Sequence, residues 1–317
     1  MSQLTGMIRQ SFIRMNVLSR IVILAMLLFF FLFIGTITAV LVAIPVFGLN
    51  IGSIYKILEN PGPSDIAIIK YFQITQSVCL FLIPSLLAAW LFSNNLKTYL
   101  KADKRPPVIT IALVMLSVFT VIPFMNLITL WNSMVKLPVW LSGLEQIIRN
   151  MEESAAQLTA MFLQGNSAKD LIINFTMIAI LPAVGEEFLF RGVLQNLFVE
   201  WTKNKHAGIF ISAFIFSFIH FQFYGFIPRL LLGLYFGYLL IWTSSIWIPV
   251  IAHLINNGIA VIYYHFSTTT MGNGILDTIG TEQHSNYIIY ISVFLTSVIL
   301  AVIYSRGQNK QPGVSNY

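Results

Sequence analysis

Three ionisable side chains occur within six positions of one apolar segment of the chain. Glu186, Glu187 and Arg191 interrupt a stretch of apolar character that runs from Leu171 to Val199. On a helix, Glu187 and Arg191 stand four residues apart and can form an ion pair along one face. Glu186 is turned about 100° away from Glu187 and has no partner on this helix. A carboxylate of this kind, facing a cavity, is suited to act as a general base.

Two further apolar segments carry polar residues at helical spacing. His220 follows Phe216 by four positions, and Asn257 follows His253 by four. An ionisable group at the centre of a bilayer costs about 2.5–3.5 kcal/mol, so it persists there when it is paired, solvated or functional. A packing network between helices is one explanation for these residues. The other is a polar pocket in the interior of a helix bundle, formed by Glu186 together with His220, His253 and Asn257.

Such a pocket is suited to hydrolysis by an activated water molecule. A carboxylate can deprotonate water, and imidazole and carboxamide groups can hold that water and stabilise the oxyanion formed on an amide carbonyl. This route needs no covalent intermediate. Two histidines and a glutamate also make a catalytic zinc set, here Glu186, His220 and His253. The usual HExxH spacing is absent, so the sequence leaves open whether a divalent metal such as zinc is bound.

The composition places these segments in a membrane. Of the 317 residues, 57% are hydrophobic and only 9% are charged, whereas a soluble domain carries roughly 25% charged residues. Eighteen Lys and Arg against twelve Asp and Glu give a formal charge of +6. In a polytopic membrane protein this excess belongs to cytoplasmic loops, and we expect no nucleic-acid partner. The single cysteine, Cys79, excludes an internal disulfide framework.

The uncharged stretches predict an all-α, polytopic membrane helix bundle, because about 20 apolar residues cross the hydrocarbon core as a helix. We expect about eight transmembrane helices in a single integral-membrane domain that spans residues 1–317. The N-terminal spans are expected at about 21–46, 71–93 and 107–130, and the others at about 171–199, 207–228, 227–243, 246–265 and 286–305.

The positive charges predict the orientation of these spans. With both termini on one side, the loops at 97–105 and 203–205 share that side, which then carries most of the Lys and Arg residues. The positive-inside rule places both termini in the cytoplasm and favours a bacterial cytoplasmic membrane, with an organellar or endoplasmic-reticulum membrane as the alternative. The basic residues assigned to the opposite side are Lys56, Lys70, Lys136, Arg149, Lys169 and Arg229.

One outer loop, at about 131–169, is much longer than the others. Apolar residues recur in it at helical spacing, opposite Glu145, Arg149, Glu152 and Glu153. This pattern predicts an amphipathic helix. It would lie either in the membrane interface or packed across the ends of the spans.

The motifs as a set resemble those of the CAAX-protease and bacteriocin-processing (CPBP) intramembrane proteases, also called the Abi family, which includes the Ras-converting CAAX endopeptidase of eukaryotes. The family's EExxxR motif corresponds to Glu186–Arg191, its FxxxH motif to Phe216–His220 and its HxxxN motif to His253–Asn257. All three occur in order, each on an expected span. The resemblance covers about 170–265, a protease-like core, and does not extend to the first three spans or the long loop.

This resemblance implies an intramembrane endopeptidase, either metal-dependent or glutamate-dependent, since both mechanisms are argued for the family. Its substrate would be a membrane-delivered protein or peptide, prenylated or small, hydrolysed by water that Glu186 activates. The residues implied to be catalytic are Glu186, His220, His253 and Asn257. Those implied to support the site are Glu187, Arg191 and Phe216. A metal, if present, would be held by Glu186, His220 and His253.

The alternative is a non-enzymatic membrane protein, either a transporter or a bacteriocin-immunity protein, that uses the same polar residues. Transporters often contain inverted repeats, and the absence of an evident repeat favours the protease. The partners expected under the protease hypothesis are the lipid bilayer and a membrane-bound substrate. Convergence of Glu186, His220, His253 and Asn257 on one cavity, with His220 within hydrogen-bond or one-water reach of Glu186, is the observation that would favour an active site over dispersed packing residues.

Overall fold

The computed structural model describes residues 2–165, 167–267, 274–281 and 286–308, and within these ranges it contains helices and no strand. The expected all-α fold is therefore confirmed. The first eight α-helices are α1 (Ser2–Ile13), α2 (Val17–Phe47), α3 (Ile51–Glu59), α4 (Ile66–Ser77), α5 (Ile83–Phe92), α6 (Leu96–Tyr99), α7 (Val108–Ser133) and α8 (Ser142–Leu163). The remaining eight are α9 (Ala168–Asn174), α10 (Leu181–Glu187), α11 (Gln195–Thr202), α12 (Lys205–Phe218), α13 (Phe226–Thr243), α14 (Trp247–Phe266), α15 (Ile275–Thr278) and α16 (Asn286–Gln308).

Seven helical stretches in the described ranges are long and apolar enough to cross a membrane. Some of them join several α-helices through π-helical turns or begin with a 3-10 turn. Together they define a multi-pass membrane protein and match seven of the eight expected spans. They are Val17–Phe47, Pro63–Phe92, Val108–Ser133, Ala168–Thr202, Phe223–Thr243, Trp247–Phe266 and Tyr287–Gln308.

The remaining expected span, at 207–228, is wrong in its second half. Helix α12 has only 14 residues, about 21 Å of helix, against a hydrocarbon core of about 30 Å. The chain turns after Phe218, and Phe221 adopts a left-handed conformation with φ of 51°. Side chains satisfy two carbonyls of this region: the hydroxyl of Ser217 donates to the carbonyl of Phe226 (2.6 Å) and the amide of Asn132 donates to the carbonyl of Phe223 (2.9 Å). These bonds compensate in part for the helical hydrogen bonds that the turn lacks.

The span Ala168–Thr202 carries the two adjacent glutamates and is not a uniform α-helix. Two π-helical segments interrupt it, at Phe175–Ile180 and Phe188–Leu194. A third π-helical segment, Val78–Leu82, lies in the neighbouring span. Such segments are rare and often lie at functional sites, because the wider turn changes the direction of side chains and leaves carbonyl groups free.

Two glycines bring α12 and α13 into close contact. A Cβ atom on Gly233 would lie 2.9 Å from the Cβ and 3.1 Å from the Cα of Ala213. One on Gly237 would lie 2.7 Å from a methyl group of Ile209. The GxxxG spacing of Gly233 and Gly237 therefore serves helix packing here.

Long-range contacts join the loops that the charge pattern places on one side. The Arg9 guanidinium donates to the carbonyl of Ser93 (2.8 Å), and Arg20 forms an ion pair with Glu200. The hydroxyl of Ser245 donates to the carbonyl of Lys104 (2.7 Å). These contacts group the helix ends as expected, while the side of the membrane on which they lie stays a prediction. Lys310, one of the basic residues on the side of the termini, lies outside the described residues.

The amphipathic helix expected in the long outer loop is present as α8. Its C-terminal part packs on the bundle, where Phe162 is buried and Leu158 contacts the same core cluster. Its N-terminal part leaves Leu144, Ile147 and Met151 about half exposed. The C-terminal part of α8 thus shows the packed arrangement, and a position in the membrane interface stays a prediction.

Candidate active site

One cavity of about 560 Å³ brings together side chains from α4, α8, the motif-bearing span, α12 and the turn after it, α13 and α14. All four residues implied to be catalytic line it, namely Glu186, His220, His253 and Asn257. Phe216 also lines it. The four residues thus converge on one cavity, which the sequence could not establish, while the reach of His220 to Glu186 stays a prediction.

Glu187 lies behind the cavity wall in a buried ion-pair network. Its side chain is fully buried, and its Oε1 atom accepts hydrogen bonds from Nη1 of Arg191 and from Nδ1 of His253, both at 2.8 Å. Arg191 also donates through Nη2 to the carbonyl of Gly233 at 3.2 Å. The spacing of the motif predicted the contact with Arg191. The contact with His253 joins residues far apart in sequence and appears only in the tertiary structure.

Aromatic rings surround the buried cation. The Arg191 guanidinium carbon lies 4.5 Å from the ring centroid of Phe216 and 5.2 Å from that of Phe236. Ring faces attract a desolvated cation electrostatically, so they help to hold the guanidinium in an apolar interior. Phe216 therefore packs against Arg191 and also lines the cavity.

Glu186 is placed differently from its neighbour. Its side chain retains 12% of its exposure, and its Oε2 atom lies 4.0 Å from Nε2 of His253. That distance is too long for a direct hydrogen bond but leaves room for one bridging water. Of the two adjacent carboxylates, Glu187 is fixed by the network and Glu186 faces the cavity.

The hydrogen bonds of the two histidines define which ring nitrogen faces the cavity as an acceptor. Nδ1 of His220 lies 2.7 Å from the carbonyl oxygen of Phe216, which can only accept, so this nitrogen carries the proton. Nδ1 of His253 donates in the same way to Glu187. In the neutral rings Nε2 of both histidines is then an acceptor. The His253 ring also stacks on Phe236, with centroids 5.1 Å apart and planes 15° apart.

Asn257 links the cavity to the π-helical segment at Phe175–Ile180. Its Nδ2 atom donates to the carbonyl of Ile178 at 3.0 Å, and its Oδ1 atom accepts from Nδ2 of Asn256 at 3.1 Å. These contacts fix the carboxamide and use one of its two N–H groups. The second N–H remains as a donor for a ligand in the cavity.

Five polar residues of the cavity are missed by reasoning from the sequence: Gln73, Thr159, Gln222, Arg229 and Asn256. The positive-inside rule assigns Arg229 to the side opposite the termini. In the structure it lies in the first turn of α13, and its guanidinium lies among the residues that line the cavity. One feature of the sequence could have identified Arg229: it follows His220 by nine residues, with no other charged residue between them.

The three residues implied to hold a metal share this cavity. Glu186, His220 and His253 all line it, and the bond from Nδ1 of His253 to Glu187 leaves Nε2 of that ring free toward Glu186. Across the described ranges, no group of three or more His, Cys, Asp or Glu side chains that could hold a metal ion is found. Metal binding by these residues stays a prediction.

Comparison with known proteins supports the resemblance found in the motifs. Residues 168–259 match the family model described as Rce1-like, type II CAAX prenyl endopeptidase Rce1-like. The matched segment contains all three motifs, so the resemblance to the CAAX-protease family is confirmed over this part of the chain. It covers less than one third of the 317 residues.

Among curated proteins, the chain is similar to the uncharacterized protein YpbD of Bacillus subtilis (strain 168). The two are 28% identical over 103 residues, which represent 31% of this chain and 50% of that protein. The chain thus spans about half the length of this relative. No solved structure shows significant similarity to the chain.

Proposed function

We propose that this protein is an intramembrane endopeptidase that hydrolyses a peptide bond with water activated by Glu186. The observation that carries the proposal is the convergence of Glu186, His220, His253 and Asn257 on one cavity within the Rce1-like segment. The family description supports the reaction class, and the unpaired position of Glu186 supports its role as the base.

The first step is the activation of water between Glu186 and His253. A water that bridges their facing atoms, which are 4.0 Å apart, donates one hydrogen bond to each of them. Glu186 takes the proton while the water oxygen attacks the carbonyl carbon of the scissile peptide bond. Both hydrogens of this water are then engaged, so in this mechanism the acceptor Nε2 of His220 is left to accept from a peptide N–H of the substrate.

The second step is the collapse of the tetrahedral intermediate. The free N–H of Asn257 is a donor for the oxyanion, and a preorganised donor of this kind stabilises the charge that develops in the transition state. The C–N bond then breaks, and the proton held by Glu186 moves to the leaving amine. The products are a carboxylate and an amine, and no covalent enzyme intermediate forms.

Glu187 and Arg191 are positioning residues in this mechanism. By accepting from Nδ1 of His253, Glu187 fixes the ring orientation and leaves Nε2 directed at Glu186. Arg191 compensates the charge of Glu187 in the buried interior. Every step of this proposed mechanism uses residues of the chain itself.

The substrate in this proposal is a membrane-bound protein or peptide. The cavity lies within a bundle of apolar helices, and Leu158 and Phe162 of α8 form part of its wall. A substrate that enters from the bilayer is consistent with this setting. The family description makes a prenylated peptide the first substrate to test.

The decisive experiment compares wild type with Glu186→Gln, reconstituted in liposomes with a peptide that ends in farnesyl-cysteine, Val, Ile and Met. We expect the variant to reduce cleavage by about 100-fold or more, because it removes the general base while keeping the shape of the side chain. Comparative membrane peptidomics of cells expressing each form extends the search to other substrates.

The matched control is Glu59→Gln, the same chemical change at an exposed position at the end of α3. It should cleave at the wild-type rate. A Glu186→Gln protein that folds and cleaves normally would overturn the role of Glu186. Identical peptidomes for all three forms, with no cleavage of the prenylated peptide, would favour a non-enzymatic protein.

A further inference from the structure

We infer that Arg229, held by Gln222, forms a subsite in this cavity that binds a carboxylate group of the substrate. This subsite rests on the proposed function. In it Arg229, which lies outside the three motifs, determines which substrates bind. The carboxylate comes either from the C-terminus of the peptide or from an acidic side chain near the scissile bond.

The guanidinium of Arg229 is only partly hydrogen-bonded within the described residues. Nη2 donates to Oε1 of Gln222. Nη1 is buried, and it has no hydrogen-bond partner among the described residues. A buried donor without a partner is unfavourable, so a ligand that supplies an acceptor at Nη1 is favoured.

The charges of the cavity make a carboxylate the matching ligand. Glu186 and Arg229 are the only Asp, Glu, Lys or Arg residues among those that line it in the described ranges. Arg191 is already neutralised by Glu187 behind the wall. The guanidinium of Arg229 forms no ion pair of 4.0 Å or less with a described residue, and a planar guanidinium binds carboxylates with two parallel hydrogen bonds.

The backbone turn before α13 fixes the position of this guanidinium. A Cβ atom on Gly225 would lie 2.6 Å from Nη1 and 2.9 Å from Cζ of Arg229, so the guanidinium rests directly on the glycine. The turn is tied to α8, because the backbone N–H of Tyr224 donates to Glu152 at 2.6 Å. That contact also gives the Glu152 carboxylate a partner in the turn.

A second role for Arg229 would be electrostatic support of Glu186 across the cavity. The two roles predict different results. Support of Glu186 would affect the hydrolysis of every peptide to the same degree. Binding of a carboxylate would affect only peptides that carry the carboxylate, and it would be visible in binding without turnover.

The experiment uses three prenylated peptides with the farnesyl-cysteine, Val, Ile, Met ending. The first has a free C-terminal carboxylate, the second a C-terminal amide, and the third an amide with the Ile replaced by Glu. Cleavage and equilibrium binding of fluorescent versions are measured for wild type, Arg229→Gln and the control Arg14→Gln, which removes an exposed arginine outside the cavity.

We expect Arg229→Gln to lower kcat/KM and affinity for a carboxylate-bearing peptide by roughly 10- to 100-fold more than for the simple amide. A selective loss of cleavage and affinity for the first peptide identifies the C-terminal carboxylate as the group that Arg229 binds. A selective loss for the third peptide identifies an acidic side chain instead. Gly225→Ala should reproduce this loss while the cation is retained, because the new methyl group displaces the guanidinium. Arg14→Gln should match wild type on all three.

Equal losses on all three peptides, or none, would overturn the subsite. If no peptide is cleaved but wild type binds the carboxylate forms more tightly than Arg229→Gln does, the subsite stands and the protease proposal fails. If cleavage depends on Glu186 but Arg229→Gln shows no preference among the peptides, the protease stands and the subsite fails.

Discussion

Adjacent glutamates have opposite environments in this protein. Glu187 is completely buried and bonded to Arg191 and His253, whereas Glu186 faces a cavity. The 100° turn between consecutive helical residues is enough to separate them. Glu187 can therefore stabilise the fold while Glu186 is available to a ligand in the cavity.

Removing the buried carboxylate should destabilise the fold. Glu187→Ala leaves Arg191 as an uncompensated buried charge, and breaking such a pair costs about 3–5 kcal/mol. We expect a marked loss of folded protein and a lower Tm, measured by fluorescence-detected size exclusion and thermal unfolding in detergent. The matched control is Glu186→Ala, one residue earlier, which should keep the wild-type yield. Equal yields and Tm values for Glu187→Ala and wild type would contradict the ion-pair network.

Helix α12 shows how tertiary contacts decide the length of an element. Its sequence continues apolar beyond Phe218, so hydropathy alone predicted a span to residue 228. The helix instead ends where Ser217 and Asn132 provide partners for the carbonyls of the turn. Because the helix ends early, His220 lies at the cavity. Helix α13 then runs back along α12, which it contacts through the small residues Gly233 and Gly237.

A methyl group at this helix contact should be unfavourable. Gly233→Ala would place its Cβ 3.1 Å from the backbone of Ala213, and overpacking of this kind costs typically about 1–3 kcal/mol. The carbonyl of Gly233 also accepts from Arg191, so displacement of α13 disturbs the buried network. We expect a lower Tm and reduced cleavage. Gly143→Ala on α8 has open space around it and should be neutral or stabilising; equal behaviour of the two variants would refute the contact.

The molecule as a whole has two distinct ends. The N-terminal helices, the loop around Lys104 and the start of α14 meet at one end, through contacts such as Arg20 to Glu200 and Ser245 to Lys104. At the other end, the turn before α13 is bonded to α7 and α8. The distribution of positive charge predicts that the first end is cytoplasmic.

Cysteine labelling tests this orientation directly. In a Cys79→Ser background, Lys104→Cys and Lys136→Cys are matched substitutions at exposed positions on opposite ends. We expect a membrane-impermeant maleimide to label Lys136→Cys on intact bacterial cells and Lys104→Cys only after lysis. The reverse pattern would show that the termini face outward.

The sequence by itself determined the helical membrane class, seven of the spans, the amphipathic helix and the contact between Glu187 and Arg191. These follow from composition and from spacing within one helix, which are local properties. Only the tertiary structure decided that four motif residues share a cavity, that His253 bonds to Glu187 from 66 residues away, that α12 stops short and that Arg229 reaches the site. The reason is physical: such contacts depend on how separate helices pack, and neither hydropathy nor helical period specifies which faces meet.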